Sequence, residues 1–206
     1  MRKNELQKIF SDMPQLYTDR LILRRMTKRD AADMYEYSHL SEVTEYLLWH
    51  PHSSIDHTKT YLSYLEKDYR MGNFYDWGVT LRDSGKLIGT CGFTTIDTVN
   101  MCGEIGYVLN PSYWGNGIAC EAVDAVMQFG FDLRLHRIEA KYIIGNERSR
   151  RVMEKCGMTF EGIRRSSMFV KGQYRDIGVC SILSHEFGAL ELKRRRESYA
   201  FQSGNL

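Results

Sequence analysis

The sequence predicts an α+β (mixed α/β) domain built on a central mixed, mostly antiparallel sheet of six to seven strands with helices on both faces. Three observations predict it. Short apolar segments with a period of two cluster between Trp77 and Leu109 and again after His136. Apolar residues three and four apart, such as Ala119, Ala122, Val123, Val126, Met127 and Gly130, mark amphipathic helices. The order is strand, helices, three strands, helix, strand, helix, two strands. That is a meander followed by β-α-β-α-β-β, without the regular βαβ alternation of a dinucleotide-binding fold.

The elements follow in order. Residues 1–18 form a short amphipathic lead-in ending near Pro14. Arg20 to Met26 reads as a strand with Leu21 and Leu23 on one face. Thr27 followed by Asp30 is a helix start, continued from Ala31 to His39. Ser41 to Leu48 suggests a second short helix, and Asp56 caps a third that runs to Tyr69 and ends at Gly72. Trp77–Leu81 and Leu87–Phe93 are strands joined by the turn at Asp83–Lys86. Gly103–Leu109 is the next strand, with a helix after it to about Leu133. His136–Ile143 is a strand, and Gly145-Asn146 turns the chain into a helix through Lys155. Phe160–Val170 and Tyr174–Leu183 close the domain as a hairpin. The reading is a lead-in over 1–18, a domain over 19–185 and a basic tail over 186–206.

At 206 residues and 43% hydrophobic content, the chain suits one domain with a real core. A net charge of +2 gives no global pull toward nucleic acid or membrane, and no apolar run approaches the roughly 20 residues needed to span a bilayer. Met1 to Glu5 lacks the apolar segment of a signal peptide. Five scattered cysteines form no CxxC pair, as suits reduced thiols in a cytoplasmic protein. The Lys193–Arg196 run is a charged tail, and direct nucleic-acid binding is not expected.

The chemistry gathers at Leu109 to Ala122. A turn bearing Gly115 and Gly117 sits between a strand and a helix start, where free backbone N–H groups and the helix dipole favour an anion. It is neither GxGxxG, since Cys120 holds the third glycine position, nor a P-loop, since no Gly-Lys-Ser/Thr follows. A second motif stands downstream at Asn146-x-x-Ser149-x-x-Val152-x-x-Lys155-x-Gly157.

Together, Tyr107 to Ala122 and Asn146 to Gly157 resemble the GNAT superfamily of N-acetyltransferases, and more narrowly the branch of ribosomal-protein N-terminal acetyltransferases RimJ and RimL. Arg20-Leu21-x-Leu23-Arg24 suits that branch too, and the resemblance covers roughly residues 19–185. It implies a GNAT-like sheet whose strands 103–109 and 136–143 splay apart, and acetyl-CoA as acetyl donor with no metal. The backbone N–H groups of Gly115, Gly117, Ile118 and Ala119 would meet the pyrophosphate, with Asn116 in the same loop. Val108 and Leu109 would pair with the pantetheine arm, Asn146 would hydrogen-bond it, and Ser149 would lie near the sulfur. Two positions depart from the family pattern. Ser112 replaces the long polar residue that opens the phosphate motif, and Met153 replaces a tyrosine that protonates the departing thiolate. Ser149, a water, or the amine itself through the intermediate could then supply that proton, with Ser149 the candidate side chain.

An attacking amine must first lose a proton, and a buried carboxylate is the usual means. Glu104, at the start of the splayed strand, is the first candidate; Glu121 fits better as a complement to the helix dipole. Tyr107 and Trp114 suit the pocket wall. His50, His52 and His57 have poor spacing for zinc and suit a solvated loop. From Asp30 to Arg70 eight acidic residues face three basic ones, and from Gly145 to Arg175 the counts are reversed. The acidic part would attract a cationic amine and the basic part the phosphates of coenzyme A. The resemblance implies a protein N-terminal α-amine as acceptor. A small amine, such as a polyamine or an aminoglycoside, and a non-catalytic acyl-CoA-binding module are the alternatives. The closing hairpin is available to pair with a second copy of the chain.

Overall fold

A computed structural model describes residues 1–203, with side chains through residue 193. The chain runs α1 (Lys3–Ser11), β1 (Leu16–Tyr17), β2 (Leu21–Arg24), a 3-10 turn (Lys28–Asp30), α2 (Ala31–Ser38), α3 (Ser41–Thr44) and α4 (Ile55–Met71). It continues through β3 (Tyr75–Leu81), β4 (Leu87–Asp97), β5 (Cys102–Leu109), a 3-10 turn (Pro111–Tyr113), α5 (Ile118–Asp132), β6 (Arg137–Ile143) and α6 (Glu147–Lys155). It ends with β7 (Thr159–Val170), β8 (Gln173–Leu183) and α7 (Ser184–Ser203).

The strands form one eight-stranded sheet in the order β1-β2-β3-β4-β5-β6-β8-β7. All pairs are antiparallel except β5 with β6. Eight strands stand where six to seven are expected, because the two-residue β1 is too short to show a period and pairs only as Leu16↔Leu23 and Tyr17↔Ile22.

Two further expectations are corrected. The helix expected over Ser41–Leu48 is one turn, Ser41–Thr44, because the chain then bends toward Pro51. Asp56 does not cap α4; Ser54 does, its Oγ accepting from the His57 N–H at 3.1 Å. The Gly72 stop is as expected, in the left-handed conformation.

One face of the sheet packs against α1 and α5. Phe10 of α1 meets Trp77 of β3 and Phe129 of α5 with ring centroids 5.6 and 5.9 Å apart, and Trp77 meets Phe129 at 5.3 Å. Phe10 and Trp77 are fully buried, so residues of the expected lead-in contribute directly to the core. On the other face α2 packs against β4 and α4, burying Met34, Tyr37, Leu62 and Leu65. α7 returns Phe187 to Phe131 at 5.0 Å. The side chains of Arg194 to Arg196 lie outside the described residues. No helix among the described residues is long and apolar enough to cross a membrane. The five cysteines are free thiols.

The turn into α2 is held by a buried ion pair. Arg24 grips Asp30 with two bonds of 2.9 and 2.6 Å, and the Thr27 N–H adds a third at 2.7 Å. Burial works against the carboxylate's charge, but the bonds from Arg24 and Thr27 outweigh it and hold Asp30 below its ordinary pKa. Ionised Asp30 therefore stabilises the fold above the ordinary aspartate pKa of about 3.9, and that contribution fades as pH falls through the lower folded value. Asp30→Asn should destabilise the protein at neutral pH by about 3 kcal/mol. Urea midpoints of the two proteins should converge as pH is lowered below about 4.

Candidate active site

The site grows from a break in the sheet. β5 and β6 pair only from Cys102↔Arg137 to Ile105↔Ala140. Beyond that point β5 stays on β4 to Leu109↔Gly89, while β6 stays on β8 to Ile143↔Ile177. Each strand is held by its outer neighbour, so the two part where their facing edges leave a gap, as expected for strands 103–109 and 136–143.

On one side of this gap lies the glycine turn. Asn110 Oδ1 accepts from the Ser112 N–H at 3.1 Å and starts the 3-10 turn at Pro111. Gly115 and Gly117 have φ of +81° and +74°, a conformation that favours glycine. Gly117 is the N-cap of α5 and supplies no side-chain cap. Glu121 is the residue whose N–H first closes the helix, onto the Gly117 carbonyl at 3.1 Å. The amides of Ile118 and Ala119 therefore open the helix with its dipole behind them.

Ser112 adds no long side chain here, but Arg20 braces the loop from outside. Its Nη1 donates to the Asn116 carbonyl at 2.9 Å and its Nε to Glu121 Oε2 at 2.6 Å. Glu121 also accepts from the Thr18 hydroxyl and the Arg20 N–H. Burial opposes its charge, yet these bonds hold its pKa below the ordinary value. Glu121 is thus a structural anchor. The Trp114 indole N–H occupies the Leu109 carbonyl at 2.8 Å, and the Arg148 guanidinium lies 4.4 Å over the Trp114 ring.

Tyr107 spans from β5 to α6. Its hydroxyl lies 2.9 Å from both Ser149 Oγ and the Ser149 carbonyl. Burial raises the Tyr107 pKa, only partly offset by Ser149, so the phenol stays protonated. Asn146 caps α6, its Oδ1 accepting from the Ser149 N–H at 3.1 Å. Met153 is buried, and Tyr107 brings a phenol to Ser149 from the opposite element.

A cavity of about 720 Å³ contains the gap and reaches α2, the segment Tyr46–Trp49 after α3, and α4. Asn146, Ser149, Tyr107 and Val108 line it, as does Glu104; Trp49, His52, Tyr61 and Phe74 form an aromatic wall. His50 and His57 are exposed, as expected for a solvated segment, while His52 is half-buried. His52 stacks on His57 at 4.6 Å, bonds Thr58 Oγ1 at 2.8 Å and meets Tyr61 edge-on at 5.7 Å. Burial, and then His57, lowers the His52 pKa. Among the described residues no group of three His, Cys, Asp or Glu side chains is placed to hold a metal ion.

Glu104 reaches the cavity, but its Oε2 is bound by the Lys141 ammonium. Lys141 also pairs with Glu139 at 3.2 Å, and these carboxylates raise its pKa against the effect of burial. Asp76, which no sequence motif marks, lines the same cavity. Burial pushes its carboxyl up to about 7, against the Thr90 hydroxyl and the Trp77 N–H that favour its charge. Its Oδ1 is buried without a hydrogen-bond partner. The Arg20 brace on Asn116 and Glu121, the buried Asp76 and the Tyr107–Ser149 contact are the features that motif reading misses, because each depends on residues brought together across the fold.

The acetyltransferase (GNAT) domain matches residues 20–159 of the chain. The chain belongs to the GNAT acetyltransferases. Among its relatives is the uncharacterized N-acetyltransferase YoaA of Bacillus subtilis, 36% identical over 82% of this chain and 97% of that protein. The [ribosomal protein uS5]-alanine N-acetyltransferase of Escherichia coli is 27% identical over 81% of this chain and 90% of its own length. A GNAT-family acetyltransferase from Bacillus anthracis superposes with a TM-score of 0.74 at 29% identity, covering 84% of this chain and 99% of that one. GNAT acetyltransferases use acetyl-CoA, and this chain is one of these enzymes.

Arg20→Ala should free the Asn116 carbonyl and Glu121 together. Amide hydrogen exchange at Gly115 to Ala119 should accelerate about tenfold or more, the effect of losing a charge-assisted bond of about 1.5–3 kcal/mol, while the β3 and β4 core amides should be unchanged.

Proposed function

We propose that this enzyme transfers the acetyl group of acetyl-CoA to the N-terminal α-amine of a protein, by direct attack of the amine while both substrates are bound. The observation that carries the reading is the gap between β5 and β6. It leads from the uncapped start of α5 on one side to an aromatic chamber with two carboxylates on the other. The amides of Ile118 and Ala119, with Gly115, Asn116 and Gly117, fit a pyrophosphate because Gly117, the N-cap, makes no side-chain cap bond to them. A Cβ added at Gly115 would meet nothing within 4 Å, so the loop is open to a ligand's approach.

When bound, acetyl-CoA supplies the activated acetyl thioester. Val108 lines its path through the gap, while Leu109 acts through its strand position, its carbonyl being taken by Trp114. Asn146 orients Ser149. The Ser149 hydroxyl, backed by the Tyr107 phenol, hands a proton to the departing sulfur, the role that Met153 cannot fill. Glu104, paired with Lys141, sets the charge at the chamber side of the gap.

The relative acting on an alanine of ribosomal protein uS5 supports a protein α-amine as acceptor. Asp76, the carboxyl in the chamber that Lys141 does not answer, favours a cationic amine of either kind, so a small amine is the second reading. Purified enzyme with acetyl-CoA, a panel of N-terminal peptides, a panel of polyamines and aminoglycosides, and a thiol-detecting reagent separates them. Faster coenzyme A release with peptides is expected. Turnover of small amines alone would replace the acceptor class, and no turnover with any amine, with acetyl-CoA still bound, would remove the catalytic reading.

Gly117→Val should cut acetyl-CoA affinity by more than tenfold by calorimetry, since a β-branched residue there costs about 1–3 kcal/mol in backbone strain and crowds the approach. Ser149→Ala should lower kcat about 10²-fold with acetyl-CoA affinity kept. Tyr107→Phe should lower it less, because the phenol acts through Ser149.

A further inference from the structure

We propose that Asp76 is the proton acceptor for the incoming amine, reached from the gap along a trough floored by Gly92 and Gly106. This rests on the reading that the amine enters from the chamber side. The strand register places Asp76 opposite Gly92 and Gly92 opposite Gly106, so the three residues lie in one row across β3, β4 and β5 on one face. Gly106 sits just past the last β5–β6 pair, at the mouth of the gap.

The two glycines are required by the space around them. A Cβ at Gly92 would stand 2.3 Å from Asp76 Cα and 2.8 Å from Asp76 Oδ1. A Cβ at Gly106 would meet Thr94 Cγ2 at 2.9 Å. Larger residues would not fit at either position, and Gly92 and Gly106 line the same cavity as Asp76; the row spans two strand spacings, about 10 Å. Water in that trough completes the path of the proton.

The surroundings single out Asp76. Tyr37 of α2, Tyr61 and Tyr69 of α4 and Cys91 of β4 stand close enough to feel its charge, and burial raises the pKa of each and keeps it neutral. Thr90 bonds the carboxylate. Across the chamber lie His52 and His57, and the Glu104–Lys141 pair, whose charges answer each other. Asp76 is therefore a carboxylate whose buried oxygen lacks a partner and whose charge an arriving ammonium would compensate.

The proton balance closes. The ammonium of the acceptor gives one proton, through trough water, to the Asp76 carboxylate. The free amine then forms its N–C bond to the acetyl carbon as the C–S bond breaks. Its second proton passes to Ser149 as Ser149 delivers its own to sulfur, leaving the amide, the coenzyme A thiol and an unchanged Ser149, and Asp76 returns its proton to solvent.

Two measurements on the full chain test this. Aspartate side-chain 13C NMR of the wild type should show a carboxyl titrating near pH 7 that is missing from Asp76→Asn. Saturating alaninamide, a small α-ammonium probe, should move that titration to lower pH. A carboxyl that alaninamide leaves unmoved would overturn the proposal without any turnover being needed. With the fastest acceptor from the panels, Asp76→Asn should lose about 10²-fold or more in kcat/KM and lose the acid limb of its pH profile. Acetyl-CoA affinity should stay at the wild-type value, which also reports that the variant folds. Glu104→Gln should keep the acid limb. An Asp76→Asn enzyme that retains that limb, or a Glu104→Gln enzyme that loses it, would overturn the proposal. If no amine is turned over, the catalytic reading fails on its own while the carboxyl titration still reports on Asp76.

Discussion

The structure depends on an unfinished ladder. A parallel pair inside a sheet ordinarily runs its length, because backbone N–H and C=O groups left unpaired in the interior are costly. Here β5 and β6 stop at Ile105↔Ala140, and the chain accepts open backbone edges in the middle of an eight-stranded sheet. It can do so because β4 and β8 hold the outer edges of both strands to their ends. Tyr107 bridges the opening to Ser149 and ties the two halves together where the ladder no longer does. The exposed backbone edges are the capacity that a chain-like ligand arm can use by adding itself as a strand.

The two faces of that opening have different chemistry. On one side stand the bare start of α5 and the basic residues of α6, which suit phosphate. On the other stand α2 and α4, acidic in sequence, with aromatic rings and two carboxylates. The carboxylates are not equivalent. Glu104 is held by Lys141, so its charge is answered within the fold. Asp76 sits deeper, bonded on one side only, and burial moves it toward neutrality. Two carboxyl groups in one chamber with such different surroundings are expected to take different parts in proton transfer.

Much of this was legible in the residues. The two motifs at Tyr107–Ala122 and Asn146–Gly157 carry the family, because turn glycines and a helix cap are local devices with local signatures. The helix starts and stops at Thr27, Gly72 and Asn146 were readable for the same reason. What failed had no local signal. β1 is two residues long, and α3 stops after one turn. Ser54 wins the cap of α4 over Asp56 because the chain enters the helix one residue after Ser54. His52 read as solvent-facing because its partners, Thr58 and Tyr61, matter only once α4 folds back beside it.

The sequence by itself determined the local conformations: left-handed turns that need glycine, an uncapped helix start, and a polar cap at Asn146. These follow from steric and hydrogen-bonding rules that act over four or five residues. Only the tertiary structure decided how distant residues serve one another. Arg20 braces a loop 96 residues away, and Tyr107 reaches Ser149 across 42. Asp76 shares the cavity with Gly92 and Gly106 because the register sets all three in one row. Register and burial are properties of the assembled sheet, and they turned an unmarked aspartate into the least solvated carboxylate of the chamber.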